Sequence, residues 1–426
     1  MPNETTVAKN AATETIADPE RRGWRMWIPS SIMMTCSLLS YIDRQTLSVL
    51  APMIIDQTNL TDASYGDAVT FFSIAYMIGN PLWGSLLDYL GLRIGMFLAV
   101  LVWTGASGMH AFVFGFMGFA AARTMLGFGE GATFPGAMKT ATMSLPPARR
   151  GRGIGLAYSG ASLGGLFTPI VVTPFAIAYG WQTAFIVTAL LGLIWLTVWW
   201  NIARPPLIVA HERPSSGPRF PNLMERRAWV VISSFGFGGV ALAVVAYLLP
   251  LILNRSLGIS QAELGNIVWI PYLGWEAGYF FWGWVADKFV DFGSGKRPTW
   301  VFALMAILAL PSMLVPLTTS VWVVLALMTW ATFVADGFVV LSLRVGSHIY
   351  PPDRVGLAGG IGSAAWSGVV AIVSPIYTRL GEAGEFTMIF VSMALLPTIG
   401  LLLWLVLSRP DYLWHRAAEN EPVPTA

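Results

Sequence analysis

The sequence predicts an all-α integral membrane protein with twelve transmembrane helices arranged as two pseudo-symmetric halves of six. Three observations carry that prediction. Hydrophobic residues make up 55% of the chain and charged residues only 11%, against about 25% charge in soluble domains. Twelve apolar segments are each long enough to cross a ~30 Å hydrocarbon core as a helix rising ~1.5 Å per residue. A Pro-rich, basic loop at 204–227 then splits them six and six.

The segments fall near 26–52, 66–88, 94–113, 116–138, 153–178, 182–203, 228–252, 264–286, 299–318, 321–343, 355–378 and 386–408. Runs of about twenty apolar residues, rather than alternating runs of about ten, select helices over a β-barrel. Trp (19) and Gly (43) are abundant, as expected where aromatic rings sit at interfaces and small residues let helices approach. Residues 1–22 are polar and carry Glu4, Glu14, Asp18 and Glu20, unlike a cleaved signal peptide, so the first segment is expected to remain as an anchor. Cys36, the only cysteine, is read as a small packing residue.

Basic residues set the expected orientation. Twenty of the 25 Lys and Arg fall on one side of the twelve-span arrangement. Arg255 and Arg379 fall on the other, and Arg44, Arg123 and Arg344 lie within or at the ends of spans. The expected layout is a cytoplasmic tail (1–25), an amino-terminal bundle (26–203), a cytoplasmic linker (204–227), a carboxy-terminal bundle (228–408) and a cytoplasmic tail (409–426), in an inner cell membrane. The two halves echo each other. Gly84-Ser85-Leu86-Leu87-Asp88, followed by Gly91 and Arg93, recurs 199 residues later as Gly283-Trp284-Val285-Ala286-Asp287, followed by Gly293, Lys296 and Arg297. Gly155-Leu156-Ala157 recurs 201 residues later as Gly356-Leu357-Ala358. Two echoes at almost one offset imply duplication, and repeated halves place a binding site between them near the bilayer midplane.

Charges inside spans are the second signal. Asp43 and Arg44 adjoin in the first segment; Arg123 and Glu130 are seven apart in the fourth, on one helical face. Left alone, four such charges would cost roughly 10–14 kcal/mol on the insertion scale. Arg44 and Arg123 suit a carboxylate, because guanidinium stays charged and binds in a bidentate fork. Arg cannot release a proton, so Asp43 and Glu130 are the candidate proton carriers. The four charges sum to zero with both acids ionised. Protonating one acid leaves the site at +1, and binding a monoanion restores neutrality, which couples the two ligands. Tyr41 and Tyr76 offer hydroxyls in the first half. In Gly362-Ser363-Ala364-Ala365-Trp366-Ser367, Ser363 and Trp366 offer polar groups from the second, with Gln45 and Gln182 as further polar candidates. Asp88 and Asp287 end corresponding helices and are expected to accept hydrogen bonds from a neighbouring helix N-terminus, gating one face together with Arg93. Asp336 and Arg344 are read as a loose pair or cavity-facing groups, Glu276 is an additional membrane acid, and His110 and His348 are expected at solvated span ends.

The chain resembles the major facilitator superfamily over residues 25–408. The Gly84…Asp88…Gly91…Arg93 loop is similar to that superfamily's loop between helices two and three, with Tyr89 where an Arg is usual. Tyr41-Ile42-Asp43-Arg44 and Arg123-Thr124-Met125-Leu126-Gly127-Phe128-Gly129-Glu130 resemble its anion:cation symporter branch. That resemblance implies uptake of an organic anion, such as a hexuronate or aldonate, commonly with protons. It also supports Tyr41, Tyr76, Ser363 and Trp366 as substrate contacts. Anion exchange or Na⁺-coupled carboxylate uptake, and a membrane sensor that binds a sugar acid without moving it, remain alternatives. No metal-spacing cluster, Walker loop or Gly-x-Ser-x-Gly elbow is present. The expectation is therefore no enzyme activity, no cofactor, no metal and no nucleic acid, with the monomer as the working unit.

Overall fold

The structure, a computed structural model, describes residues 23–58, 60–208, 222–291, 296–350, 355–409 and 413–414. Most of both predicted tails and of the 204–227 linker lie outside the described residues. Within them the chain is helical, with no strand. The first half comprises α1 (Ile28–Val49, prolonged by Ala51–Thr58), α2 (Asp62–Leu90), α3 (Leu92–Met109), α4 (Gly115–Glu130, prolonged by Thr133–Ser144), α5 (Pro147–Tyr179) and α6 (Trp181–Ile202). The second comprises α7 (Arg226–Val231 through to Leu249–Leu257), α8 (Gln261–Ile267 and Ile270–Phe289), α9 (Thr299–Ala309, ending in a 3₁₀ stretch Leu310–Leu317), α10 (Val321–Ile349), α11 (Val355–Glu382) and α12 (Phe386–Leu407).

Eight of these qualify as membrane spans by length and apolarity alone. The other four, α1, α2, α4 and α8, each carry charge or a break. α1 holds Asp43 and Arg44 and is interrupted at Leu50. α4 is interrupted at Gly131–Ala132, and α8 at Val268–Trp269. α7 contains two π-helical turns, Ile232–Gly236 and Val244–Leu248. Such bulges frequently mark functional positions, and the apolar run that predicted this span did not reveal them. The chain reverses from α2 into α3 at Gly91 (φ 83°) and from α5 into α6 at Gly180 (φ 87°). L side chains strongly disfavour that backbone region.

Helix pairs meet through glycine. A Cβ at Gly127 of α4 would overlap the Phe72 carbonyl of α2, one at Gly160 of α5 the Met34 carbonyl of α1, and one at Gly274 of α8 the Thr329 carbonyl of α10. Backbones therefore touch directly, the packing expected where lipid supplies no hydrophobic drive between helices. The halves join along α2–α11, α5–α8 and α1–α7. Many Ile, Leu and Phe side chains stay exposed, among them Phe71, Ile78, Leu190, Ile194, Phe280, Ile307 and Leu402, and form an apolar perimeter suited to acyl chains.

Candidate functional site

The adjacent charges of α1 turn to different neighbours. Arg44 is 1% exposed and faces α4, where its Nη2 and Nε donate to Glu130 Oε2 at 2.7 and 3.1 Å. Both bonds fall on one oxygen, so Glu130 Oε1 is buried without a partner. Around the guanidinium lie the rings of Tyr41, Phe72 and Tyr76, with centroids at 4.7, 4.9 and 4.7 Å. These aromatic faces stabilise the buried cation. Asp43 points elsewhere. Its Oδ1 accepts from Ser107 Oγ of α3 at 2.6 Å, and Ser107 Oγ lies 3.0 Å from Thr188 Oγ1 of α6. The four expected charges are thus one ion pair, one carboxylate held by a hydroxyl, and one cation with no direct ion pair among the described residues.

That cation is Arg123, also 1% exposed. Nη2 donates to the Arg44 carbonyl at 3.3 Å, while Nε and Nη1 have no partner. No carboxylate among the described residues pairs with it. The buried atoms Gln45 Nε2, Ser48 Oγ and Tyr272 Oη are likewise unpartnered.

The second half contributes an aromatic wall. Tyr247 on α7 lies 6.1 Å from Phe72 and 6.1 Å from Trp366 on α11, and Tyr65 Oη donates to the Tyr247 carbonyl. Trp275 on α8 meets Tyr41 edge-on at 6.3 Å and stacks on Tyr272 at 5.7 Å. Trp366 uses its Nε1–H on the Gly239 carbonyl at 3.0 Å, so it presents a ring rather than a donor to the centre. Ser363 is buried one turn earlier on α11. Sequence reasoning brought in Tyr41, Tyr76, Ser363 and Trp366 but missed Tyr247, Trp275 and Tyr272. Their only sequence signal is an aromatic residue within a span, a feature common along this chain.

The expected gating residues sit at the opposite end of the molecule from Arg255. Lys139 Nζ bonds Asp88 at 2.6 Å and the Leu87 carbonyl at 2.7 Å. Arg344 bonds Asp287 at 2.7 Å, in place of the loose pairing with Asp336. Arg93 lies over the Trp200 ring at 4.0 Å and donates to the Trp200 carbonyl at 2.8 Å. Each bond stays within one half. A charged partner in the same half takes both carboxylates, where a neighbouring helix N-terminus was expected. His110 corrects another expectation. It is fully buried, stacked on Phe185 at 4.9 Å, with Nδ1 2.8 Å from the Ala106 carbonyl. The aromatic packing of α3 against α6 closes over a residue expected in solvent. His348 is half-buried, with Nε2 3.1 Å from the Trp414 carbonyl. Among the described residues no group of three or more His, Cys, Asp and Glu could hold a metal ion.

Polar contacts between the halves gather at the Arg255 end. Arg255 binds Asp62 at 3.0 Å and Asp56 at 3.2 Å, Arg379 binds Asp67 at 2.9 Å, and Glu382 accepts from the Ala63 amide at 2.7 Å. Deeper in, Gln261 Nε2 donates to the Val49 carbonyl at 2.8 Å and Thr70 Oγ1 to the Ala371 carbonyl at 2.9 Å.

Two helical halves, closed against each other at one end around buried charges of both signs, define a multi-pass membrane transport protein. The family model described as Major Facilitator Superfamily matches residues 33–375 and 231–426, and the chain belongs to that superfamily. It is 24% identical over 423 residues to a hexuronate transporter of Escherichia coli (strain K12), covering 93% of this chain and 98% of the relative. It is 25% identical to a D-galactonate transporter of Escherichia coli O6:H1, covering 90% and 96%. It is 30% identical to a hexuronate transporter of Bacillus subtilis (strain 168) over a shorter stretch, 60% and 63%. Among solved structures, a bacterial homolog of the human lysosomal transporter Spinster, inward-facing and occupied, superposes with a TM-score of 0.74 at 16% identity, covering 93% of this chain and 99% of that one. That match shows the fold. The relatives are transporters, and this chain is a transporter rather than an enzyme.

Proposed function

We propose that this protein takes up a monovalent sugar acid, of the hexuronate or aldonate type, together with protons. The observation that carries the reading is Arg123, a buried guanidinium with two unpartnered nitrogens and no ion-pair partner among the described residues. Burying a charge unpaired costs several kcal/mol, so the empty site attracts an anion whose carboxylate fits the guanidinium fork. Arg44 is the second anion contact, masked by Glu130. A proton on Glu130 weakens that pair and frees Arg44, so proton and substrate reinforce each other's binding. Asp43 supplies the remaining proton balance through Ser107 and Thr188. Tyr41, Tyr76, Ser363 and Trp366 surround the polyol. The names of the curated relatives support a sugar acid as the substrate class.

In this reading residues 26–203 and 228–408 are two bundles that rock about the central site, giving alternating access. The 204–227 linker and both termini lie in the cytoplasm of an inner membrane, as the distribution of Lys and Arg implies. Asp88, Arg93 and Asp287 belong to the cytoplasmic gate, and the single chain is the working unit. Uptake into proteoliposomes tests the proposal. An inward proton gradient should drive accumulation of glucuronate, galacturonate or galactonate above the external level. Accumulation driven only by a sodium gradient or by preloaded anion would replace proton symport with sodium coupling or exchange. Ligand-induced thermal stabilisation without flux would make the protein a sensor.

A further inference from the structure

One buried acid has no part in the site just described. Asp336, at the middle of α10, is 0% exposed, and neither carboxylate oxygen has a hydrogen-bond partner. α8 lies flat against it, since a Cβ at Gly278 would come within 2.9 Å of Asp336 Cβ and 3.3 Å of Oδ2. The surrounding contacts tie α8 and α10 together without reaching the carboxyl group. Thr332 Oγ1 donates to the Pro271 carbonyl at 2.7 Å and Trp282 Nε1 to the Phe333 carbonyl at 2.9 Å. The nearest basic side chain on its own helix, Arg344, is committed to Asp287.

Glu276 and Tyr279 on α8 and Tyr41 on α1 lie within electrostatic range of Asp336. None of these three is a cation. Its neighbour Gly337 meets Met305 of α9 and Trp282 of α8, and Phe338 meets Gly238 of α7. An ionised carboxylate in such a place is unsolvated, unbonded and beside a second acid, all of which favour the neutral form. Among the described residues no group of three or more His, Cys, Asp and Glu surrounds it to hold a metal ion. A proton needs no such group.

We propose that Asp336 is a proton-binding site of the carboxy-terminal half, occupied in this conformation and separate from the Arg44–Glu130 pair. The bound proton permits the close approach of α8 and α10, and hence the position of Trp275 against Tyr41. The site acts on the α8 wall and makes no contact with the anion.

Infrared difference spectroscopy of the purified full-length protein at neutral pH tests this without any transport assay, so its failure leaves the proposed function standing. The carbonyl-stretch band of a protonated carboxylic acid should be present in wild type, reduced by one group in Asp336→Asn, and retained in Glu276→Gln. Asn mimics the neutral acid in shape, so D336N should keep an apparent Tm at or above that of wild type, and Asp336→Leu shows whether the readout responds to the site at all. An unchanged band in D336N means that Asp336 is ionised and overturns the proposal. A rise in wild-type Tm specific to NaCl over choline chloride, absent in D336N, overturns it in favour of a cation.

Discussion

Arg123 and Glu130 differ in their partners on α4. Arg123 has free donors, whereas Glu130 is bound by Arg44 through a single oxygen. Arg123→Lys keeps the charge but loses the fork that grips a carboxylate at two points. It should weaken sugar-acid binding at least about tenfold, or ~1.4 kcal/mol, read by calorimetric titration; unchanged affinity would remove Arg123 from the anion site. Glu130→Gln removes the proton acceptor and unmasks Arg44 permanently. Proton-driven accumulation should be abolished while counterflow of labelled anion persists, and loss of both would show that Glu130 is not the coupling group. These residues were legible as candidates in the sequence because charge in a span is costly and therefore conspicuous. What the sequence hid is the choice of partner. Asp43 and Arg44 adjoin along the chain, yet one meets a serine of α3 and the other a glutamate of α4. Hydroxyls and aromatic rings recur throughout the spans, so Ser107 and Tyr247 carried no distinguishing mark. Only tertiary packing assigns them.

Among the helices, the α8–α10 contact shows how closely backbone approach is specified. Gly274→Val would drive a branched side chain into the Thr329 carbonyl. Overpacking of this kind costs about 1–3 kcal/mol or more, so the variant should melt several degrees lower in detergent; a wild-type melting temperature would show that α8 can shift without cost. At the start of α8, Ser260 and Glu263 form a reciprocal capping box. The backbone amide and hydroxyl of Ser260 bond the Glu263 carboxylate and hold it below its ordinary titration range. A depressed acid stabilises the fold above its ordinary range and loses that contribution as pH falls. The advantage of wild type over Glu263→Gln in melting temperature should therefore be present near pH 7 and shrink as pH falls below about 4. A gap that does not depend on pH would mean that the charge is irrelevant. The helices were legible as apolar segments, and eight of them qualify as spans by length and apolarity alone. The interruptions in α1, α4 and α8 and the π turns of α7 were not, because local irregularity in lipid depends on which neighbouring group satisfies the freed backbone.

At the scale of the whole molecule, the side-chain pairs that join the halves sit at the Arg255 end, whereas Asp88 and Asp287 spend their charge within their own halves. The contacts at the Arg255 end close that face in the structure, and the intra-half pairs of Asp88 and Asp287 leave the opposite end without an ion pair between halves among the described residues. The closed end borders a cleft of about 720 Å³ lined by Asp56, Asp62, Arg255 and Glu382, so its ion pairs are partly solvated and each contributes only ~0.2–1 kcal/mol. Three pairs acting together still suffice to bias a two-state equilibrium, where ~1.4 kcal/mol shifts the populations tenfold. Neutralising both arginines, as Arg255→Gln with Arg379→Gln, should move the population toward the conformer open at that face. Cys36 is the only cysteine and is buried, so a Cys36→Ser background accepts spin labels at Gln57 and Ala383, on opposite halves of the closed end. The double variant should gain a longer-distance population between these labels in pulsed electron-spin measurements, and sugar acid should alter its weight. If the distribution stays as in the parent, the apolar contacts of α2 with α11 hold the face shut by themselves, and the ion pairs serve only to align it.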